Sequence, residues 1–381
     1  PDGRIRVLWL VKGLGRGGAE RLIVAMAPKL DPVRFTVEVA YLLPWKDDVV
    51  AELEAAGIGV HCLRARCTLD AGWVARLREL LRDGSYDVVH THSPAPAAVA
   101  RLIAPRRTRI VHTEHNVWDA YRAPTRLANA FTYARNDTVW AVSDGVRATI
   151  RPPRVLRLLG RARPPVTTMH HGVEVAGVAR GPEARAAARA SLGLADDAPV
   201  VGTVANLTAK KDPATLIAAI DLVRARLPDV RLVLIGSGPL EATLRDEIAD
   251  RGLGEHVRLL GTRDDVPALL PAFDVFALSS RFEGLGLSLL EAMAAEVACV
   301  STAVGGVPEV ITDGDNGRLV PVADPAALAD AIVQVLTDDH ARAAMVAAGR
   351  ERVRAGFASV DHVVRASEEL YERLTGSTTS G

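Results

Sequence analysis

Two glutamates whose carboxylates could take part in binding or catalysis lie eight residues apart, across a glycine turn in the last third of the chain. Glu283 lies in the turn, and Glu291 lies about one turn inside the helix predicted to follow it. The apolar run at 274–278, just before the turn, predicts a strand. A strand, a glycine turn and a helix start together favour phosphate binding, because free backbone N–H groups and the helix dipole point into the turn.

These two carboxylates cannot share one face of a helix, so they can hold two different parts of one ligand whose phosphates lie between them. Carboxylates accept hydrogen bonds from hydroxyl groups. The pattern of Glu283 and Glu291 therefore indicates a sugar or a ribose joined to a diphosphate.

The composition is that of a globular enzyme with two domains. The chain has 381 residues, 49% of them hydrophobic and 24% charged, which is enough for two separate cores. Its three cysteines form no disulfide framework and no metal-ligand cluster, as expected in a reducing compartment. No run of about 18 apolar residues predicts a membrane span, and the start lacks the apolar core of a signal peptide. We therefore predict a cytoplasmic protein.

Positive charge is concentrated in the first half of the chain, although the formal net charge is zero. Residues 1–170 contain 26 Lys and Arg against 16 Asp and Glu, whereas residues 171–381 contain 20 against 30. Six of these arginines lie between Arg147 and Arg163. Two explanations stay open: a solvated arginine-rich surface, or a surface that meets an anionic membrane or an anionic acceptor.

Short apolar runs alternate with helical patterns in both halves, which favours parallel sheets covered by helices on both faces. Strands are predicted at 6–11, 36–42, 59–63, 87–90, 109–113, 138–142 and 166–170, and then at 200–205, 231–235, 257–260, 274–278, 298–301 and 317–320. The two series meet near 172–194, a stretch rich in Ala and Arg that is typical of a hinge region. We therefore predict an α/β protein of two doubly wound, Rossmann-like domains, with ligands bound at the carboxyl ends of the strands in a central cleft.

A glycine-rich loop follows the first predicted strand and opens a helix. Its glycines are Gly13, Gly15, Gly17 and Gly18, a spacing that differs from the Gly-x-Gly-x-x-Gly fingerprint of dinucleotide-binding domains. No acidic residue stands at the end of the second predicted strand to hold a ribose. The sequence therefore argues against a dinucleotide oxidoreductase, and the loop alone is weak evidence for phosphate binding.

The glutamate segment resembles the Glu-x7-Glu motif of the retaining GT-B glycosyltransferases of family 4. Further segments are similar to that family in order and spacing from about residue 7 to residue 335. They are Gly17-Gly18-Ala19-Glu20, Asp87-Val88-Val89-His90-Thr91-His92, Thr113-Glu114-His115-Asn116, Ala141-Val142-Ser143, His171-Gly172-Val173-Glu174, the stretch 204–212, Leu234-Ile235-Gly236-Ser237-Gly238, Leu260-Gly261 and Gly305-Gly306-Val307-Pro308-Glu309. Three positions differ from the family pattern: Asn206 replaces its usual arginine, His171 replaces an asparagine, and Ser288 replaces a frequent proline.

The resemblance implies a GT-B fold with an acceptor-binding domain over 1–172 and a donor-binding domain over 173–357. A C-terminal helix at about 358–375 is expected to pack back on the first domain. The implied activity is that of a metal-independent hexosyltransferase without a cofactor. It would move a sugar from a UDP-type or GDP-type donor to an acceptor hydroxyl with retention. Two alternatives stay open: a nucleotide-sugar epimerase or hydrolase of the same fold, and a non-catalytic membrane-binding module.

The resemblance also implies roles for individual residues. Glu291 is expected to accept hydrogen bonds from the ribose, and Lys211 to offer a charge to the diphosphate. Glu283 is expected to contact hydroxyls of the transferred sugar, with direct nucleophilic attack as the alternative. His115 is expected to contact the donor sugar or assist the acceptor hydroxyl, or else to be a structural histidine at a strand end. The predicted donor site comprises Gly17, Gly18, Asn206, Lys211, Gly284, Leu285, Gly286, Leu287 and Glu291.

The acceptor stays open among a lipid-linked carrier, a polysaccharide and a small natural product, as in bacterial glycan or natural-product biosynthesis. The basic first half slightly favours peripheral contact with a membrane, and we expect no nucleic-acid partner. His90 and His92 alternate on a predicted strand like a pair of metal ligands. Because no third ligand stands at a recognisable spacing, we predict no metal site.

Overall fold

The computed structural model describes residues 3–67, 70–153, 163–172, 178–357 and 359–376. The chain divides into two compact units, one formed by Pro1–His171 with Ala358–Gly381 and the other by Gly172–Phe357. Part of the arginine-rich stretch between Arg147 and Arg163 lies outside the described residues, as do Val173 and Glu174 of the predicted turn.

The first unit is built on a parallel sheet of seven strands in the order β3-β2-β1-β4-β5-β6-β7. The central strands are buried along most of their length, and the buried polar side chains His90, Thr91, Thr113 and Glu114 lie towards the carboxyl ends of β4 and β5. The strands are β1 (Ile5–Val11), β2 (Phe35–Tyr41), β3 (Gly59–Cys62), β4 (Val88–Thr91), β5 (Arg109–Glu114), β6 (Thr138–Ala141) and β7 (Val166–Thr168).

Helices connect these strands, and two of them begin at side-chain caps. Asp70 accepts a hydrogen bond from the Gly72 N–H, and Ser143 accepts one from the Val146 N–H. The α-helices of this unit are Gly18–Met26, Val50–Ala55, Ala71–Asp83, Pro94–Ile103, Ala123–Thr132, Asp144–Thr149 and Val360–Thr375.

The C-terminal helix Val360–Thr375 packs on the first unit. Tyr371 is fully buried, and its Oη accepts a hydrogen bond from Trp9 Nε1 over 3.0 Å. Arg34 also holds the helix, because its guanidinium donates to Glu368 over 2.8 Å and to Glu372 over 2.6 Å. The last described residues of the chain therefore complete the core of the unit that contains its first strand.

The second unit has a parallel six-stranded sheet in the order β10-β9-β8-β11-β12-β13. Its strands are β8 (Val200–Val204), β9 (Arg231–Ile235), β10 (Val257–Leu259), β11 (Val275–Leu278), β12 (Ala298–Thr302) and β13 (Arg318–Val320). Its α-helices are Gly181–Ser191, Pro213–Arg224, Glu241–Asp250, Val266–Leu269, Leu287–Ala294, Val307–Val310, Pro325–Thr337 and Asp339–Gly356. No helix within the described ranges of either unit combines the length and the apolarity needed to cross a bilayer.

The helix Gly181–Ser191 lies where the sequence favours a hinge. Its Arg189 is buried, and the guanidinium donates to Asp274 Oδ2 over 2.8 Å and to four backbone carbonyls. Arg185 pairs with the other carboxylate oxygen of Asp274 over 2.6 Å. The alanine- and arginine-rich sequence therefore forms a docked helix, because its arginines meet a carboxylate at the start of β11.

Every strand predicted from the sequence is present, with ends displaced by no more than two residues. In each sheet the strand order reverses once, between β1 and β4 in the first unit and between β8 and β11 in the second. The loops that follow two such neighbouring strands diverge and leave a crevice at their carboxyl ends, where open parallel sheets bind ligands. The predicted α/β class with two doubly wound sheets is confirmed.

Candidate functional site

Lys211 and Glu283 meet at the crevice of the second unit. Lys211 lies in the loop after β8 and Glu283 in the loop after β11, so the adjacency of these two strands brings the loops together. Lys211 Nζ stands 2.6 Å from Glu283 Oε1, and Ser280 Oγ donates to the same oxygen over 2.7 Å. The Glu283 side chain is only 7% exposed, whereas that of Lys211 is 26% exposed. A nearly buried carboxylate is thus paired with a partly exposed ammonium group.

This ion pair leaves hydrogen-bonding capacity on both partners. An ammonium group has three N–H donors, of which Glu283 takes one. Glu283 Oε2 has no hydrogen-bond partner within the described part of the chain. Glu283 Oε2 can therefore accept a hydrogen bond from a ligand hydroxyl while Lys211 Nζ donates a hydrogen bond to an anion.

The backbone around Glu283 is held at a close crossing with the loop after β12. Gly305 has a φ of +55°, and a Cβ on it would stand 2.0 Å from the Glu283 carbonyl oxygen. The Gly306 N–H donates to the Gly284 carbonyl over 2.9 Å, and Thr302 Oγ1 donates to the Ser280 carbonyl over 2.6 Å. Only glycine fits at position 305, because both the backbone conformation and the space exclude a side chain.

The glycine turn after Glu283 presents backbone N–H groups. Gly286 adopts a left-handed conformation, with φ of 88°, immediately before the helix Leu287–Ala294. In the described ranges, the N–H groups of Leu285, Gly286 and Leu287 have no hydrogen-bond acceptor. Glu291 is the fifth residue of the helix, one turn beyond this start. The predicted phosphate-binding turn therefore has the donors and the dipole that such a site needs.

The loop after β8 is fixed from two sides. Arg281 Nε donates to Asp212 Oδ2 over 2.8 Å, and Ser279 Oγ donates to the Asp212 carbonyl over 2.7 Å. On the other side, a Cβ on Gly236 would stand 2.1 Å from the Ala205 carbonyl oxygen, so the loop after β9 packs directly on it. The Asn206 side chain between these contacts is exposed. Lys211 is therefore held on an ordered loop, and Asn206 adds a polar group without charge.

A row of histidines lines the carboxyl edge of the first sheet. The rings of His90 and His92 stack with centroids 4.3 Å apart, and His92 Nδ1 lies 3.1 Å from His115 Nε2. The His115 and His171 rings follow with centroids 5.2 Å apart. His90 is tied on both nitrogens, to Tyr371 Oη over 2.6 Å and to Thr113 Oγ1 over 2.7 Å.

These imidazoles are neutral at pH 7. Burial, followed by the charge that neighbouring histidines would carry, lowers the pKa of His90, His92 and His171 well below the ordinary value. Burial lowers the pKa of His115 to about 4, with His112 as the next cause. The residues that the structure describes contain no group of three or more His, Cys, Asp or Glu side chains that could hold a metal ion.

Glu114 anchors the segment that begins with His115. It is fully buried at the end of β5, where its carboxylate accepts from Trp118 Nε1 over 2.8 Å and from Tyr121 Oη. Burial alone would raise the pKa of Glu114, but the His112 ring, whose Nε2 lies 3.4 Å from Glu114 Oε2, and hydrogen bonds from Tyr121 and Trp118 outweigh it and hold the pKa below its ordinary value. The backbone after β5 is thus fixed by an ionised carboxylate.

The predicted site residues fall into two sets. Lys211, Glu283 and the turn 284–287 lie together in the second unit, with Glu291 on the helix that follows. Gly17, Gly18 and His115 lie in the first unit, where Gly17 precedes the helix Gly18–Met26 after β1. Sequence reasoning did not identify Ser280 or the contact of His92 with His115, since each depends on a neighbour brought in by the fold.

Comparison with solved structures defines the class of the fold. The Anabaena protein HepE, in complex with UDP and glucose, superposes with a TM-score of 0.82 over 97% of this chain and 100% of that chain, at 22% identity. The sucrose-phosphate synthase from Thermosynechococcus elongatus superposes with a TM-score of 0.77 over 98% and 100%, at 21% identity. The two sheets are those of the two-domain GT-B fold of glycosyltransferases.

Sequence relatives then identify the family. The model for glycosyl transferases group 1 matches residues 184–352, and the model for glycosyltransferase family 4 matches residues 16–176. A GDP-mannose-dependent alpha-(1-6)-phosphatidylinositol monomannoside mannosyltransferase of Mycolicibacterium smegmatis is 31% identical over 354 residues, 88% of this chain and 90% of its own. The N-acetyl-alpha-D-glucosaminyl L-malate synthase of Bacillus anthracis is 26% identical over 79% and 78% of the two chains. The chain belongs to the group 1 glycosyltransferases of family 4, as the sequence motifs predicted, and it is an enzyme of that class.

Proposed function

We propose that this enzyme transfers a hexose from a UDP- or GDP-sugar to an acceptor hydroxyl with retention and without a bound metal ion. The observation that supports this most strongly is the Lys211–Glu283 pair beside the free N–H groups of the glycine turn. Cleavage of the sugar–phosphate bond leaves negative charge on the diphosphate. Lys211 and the N–H groups of Leu285 and Gly286 stand where fixed positive charge would stabilise it.

Glu283 contacts hydroxyls of the transferred sugar in this proposal. Its Oε1 already accepts hydrogen bonds from Lys211 and Ser280, which lowers the nucleophilicity of the carboxylate. Its Oε2 has no hydrogen-bond partner in the described ranges and can accept a hydrogen bond from a sugar hydroxyl. Recognition of the sugar is therefore favoured over direct attack by Glu283, and retention is supported by the resemblance to the retaining members of the family.

Glu291 binds the ribose and Lys211 the diphosphate of the same donor. The relative from Mycolicibacterium smegmatis is named for GDP-mannose, and the HepE structures contain UDP. Nucleotides with guanine and with uracil therefore both belong in the first test, which is a thermal-shift screen of UDP, GDP, ADP, TDP and NAD with and without magnesium. A ligand that binds only the folded protein raises its melting temperature. One nucleoside diphosphate that acts equally with and without magnesium supports the proposal, and a response to NAD alone contradicts it.

Product analysis separates transfer from the other reactions of such a donor site. With the responding nucleotide sugar and a panel of hydroxyl acceptors, NMR of the product should show a new glycosidic bond with the anomeric configuration of the donor. An inverted product would contradict retention. A free sugar, or an epimer of the donor without any coupled product, would instead identify a hydrolase or an epimerase.

The acceptor we propose is lipid-linked and reached by peripheral contact with an anionic membrane. Leu102, Leu127 and Phe131 are at least half exposed on the helices Pro94–Ile103 and Ala123–Thr132. Arg106 and Arg135 are exposed and line a cavity of about 240 Å³ near the end of the helix Pro94–Ile103. Exposed apolar side chains together with exposed arginines suit a surface of acidic lipid headgroups.

Co-sedimentation with vesicles tests this contact. Wild-type protein should bind vesicles that contain phosphatidylserine at low salt and lose binding at high salt, because exposed charges are screened. Phe131→Ser and Arg135→Gln should weaken binding, whereas Leu222→Ser, at an exposed leucine of the second unit, should not. Equal binding by all these variants would show that another surface, or none, meets the lipid.

A further inference from the structure

We infer that His92 is a positioning residue that fixes the tautomer of His115. In this arrangement His92 donates from Nδ1 to His115 Nε2, so His115 carries its own proton on Nδ1 and presents that N–H to a ligand. The use of this N–H in sugar binding rests on the proposed function, whereas the tautomer itself does not. The contact that carries the inference is the 3.1 Å separation between His92 Nδ1 and His115 Nε2.

The direction of the hydrogen bond follows from the surroundings of His92. A neutral imidazole has one N–H and one bare nitrogen, so one of the two rings must donate and the other accept. His92 is 8% exposed, and its Nε2 is buried without a hydrogen-bond partner in the described residues. A buried N–H without an acceptor costs more than a buried lone pair, and such N–H groups are rare. The proton of His92 therefore lies on Nδ1, which makes His92 the donor.

The packing of His92 prevents it from turning away. One face stacks on His90, whose two nitrogens are held by Tyr371 and Thr113. Trp9 approaches the ring edge-on, with centroids 5.7 Å apart. Because these neighbours lie on β1, β4, β5 and the C-terminal helix, the donor nitrogen of His92 is fixed by the core of the first unit.

His115 is free to use the proton that this contact assigns to Nδ1. The His115 ring is partly exposed, and its Nδ1 has no hydrogen-bond partner in the described part of the chain. Its other titratable neighbours are His171, His112 and Glu114, and the ring stays neutral at pH 7. Nε2 already accepts from His92, so it cannot also take a proton from an acceptor hydroxyl. His115 is therefore an N–H donor to a ligand oxygen and not a general base.

Two substitutions of His92 separate this role from simple packing. His92→Asn places an amide N–H close to the position of Nδ1 but removes the ring that stacks on His90. His92→Phe keeps an aromatic ring but removes the hydrogen bond. If the tautomer matters, His92→Asn retains most of the transfer activity, and His92→Phe loses about tenfold in kcat/KM, which corresponds to about 1.4 kcal/mol. If packing alone matters, His92→Phe retains more transfer activity than His92→Asn.

Nitrogen-15 NMR of histidine-labelled full-length protein reads the tautomer directly, without reference to activity. The His115 resonances, assigned by their loss in His115→Asn, should show a protonated Nδ1 and a bare Nε2 at pH 7.5. His92→Asn should keep this pattern, and His92→Phe should mix the two tautomers. A proton on Nε2 in the wild type, or no change in His92→Phe, would overturn the inference. If no transfer activity is found at all, the proposed function fails while the NMR result still decides the tautomer.

Discussion

Lys211 Nζ lies 2.6 Å from Glu283 Oε1, and this ion pair joins two loops whose residues are 72 positions apart in the chain. In the function proposed above, the pair connects the group assigned to the leaving diphosphate, Lys211, with the group assigned to the sugar, Glu283. Because the carboxylate is nearly buried, loss of the lysine would leave Glu283 with Ser280 as its remaining partner. On that proposal, the two sides of the donor are recognised by side chains that depend on each other.

Lys211→Met should weaken nucleoside diphosphate binding, by about tenfold to a hundredfold, since a hydrogen bond to a charged group contributes about 1.5–3 kcal/mol. Glu283→Gln should leave nucleotide affinity near that of the wild type and lower kcat. In the double variant, the combined loss of kcat/KM should differ from the sum of the two by about 1 kcal/mol or more, as expected for residues in contact. Calorimetric Kd values and steady-state kinetics measure both quantities.

A matched control for this cycle is the exposed pair of Arg245 and Glu241, which stands at 2.8 Å in the same unit. Arg245→Met should change neither nucleotide affinity nor kcat, because an exposed pair contributes little. Strictly additive effects of Lys211→Met and Glu283→Gln would contradict the mutual dependence described above.

Glu291→Ala should weaken nucleotide binding with little effect on the stability of the fold. The carboxylate stands one turn inside the helix Leu287–Ala294, where we expect it to accept hydrogen bonds from the ribose. Loss of such bonds should raise the Kd for the nucleoside diphosphate about tenfold or more, while the isolated sugar binds as before. Glu255→Ala, at an exposed glutamate of the same unit, provides the comparison. Unchanged donor affinity in Glu291→Ala would refute the ribose role.

The strands were predictable because each contains a short apolar run, and helical patterns separate these runs along the chain. The helix Ala123–Thr132 has a weaker apolar pattern, because Asn129 and Thr132 are polar residues on its buried side. They are tolerated there because Arg101, on another helix, donates to Asn129 Oδ1 over 2.7 Å and to Thr132 Oγ1 over 3.2 Å. Such a buried polar cluster forms between distant segments and leaves no periodic pattern in the sequence.

In the candidate site, too, the sequence predicts some features and the fold decides the others. Lys211 and Glu283 could be singled out from their motifs, but their contact follows from the adjacency of β8 and β11. The contact between His92 and His115 likewise requires β4 beside β5. A sequence motif therefore predicts which groups are present, and the strand order decides which of them touch.

Gly305→Ala should reduce activity through the backbone of Glu283. The new Cβ would stand 2.0 Å from the Glu283 carbonyl oxygen, so the turn must shift. Gly314→Ala is the matched control, because Gly314 also has a positive φ, of +78°, but has open space around its Cβ position. Both variants should lose about 1–2 kcal/mol of stability from the left-handed backbone, and Gly305→Ala more. Only Gly305→Ala should lower kcat; equal kcat values in the two variants would show that the crossing does not position Glu283.

Acid should destabilise the first unit through its histidine row. In the unfolded chain a histidine takes up a proton near its ordinary pKa of about 6.5. The folded pKa of His115 is about 4, and those of His90, His92 and His171 are also lowered. Between these values the unfolded state binds more protons than the folded state, so the free energy of unfolding falls as the pH falls.

The free energy of unfolding should begin to fall near pH 7 and continue to fall towards pH 4. The slope should be up to about 1.4 kcal/mol per pH unit for each histidine that stays neutral in the folded state. Denaturant unfolding at pH 7.5, 6.5 and 5.5 measures it. His171→Asn removes one buried imidazole of the row and should flatten the pH dependence, whereas His340→Asn, at an exposed histidine of the second unit, should not. Parallel pH curves for wild type and His171→Asn would mean that His171 accepts a proton without opening the fold.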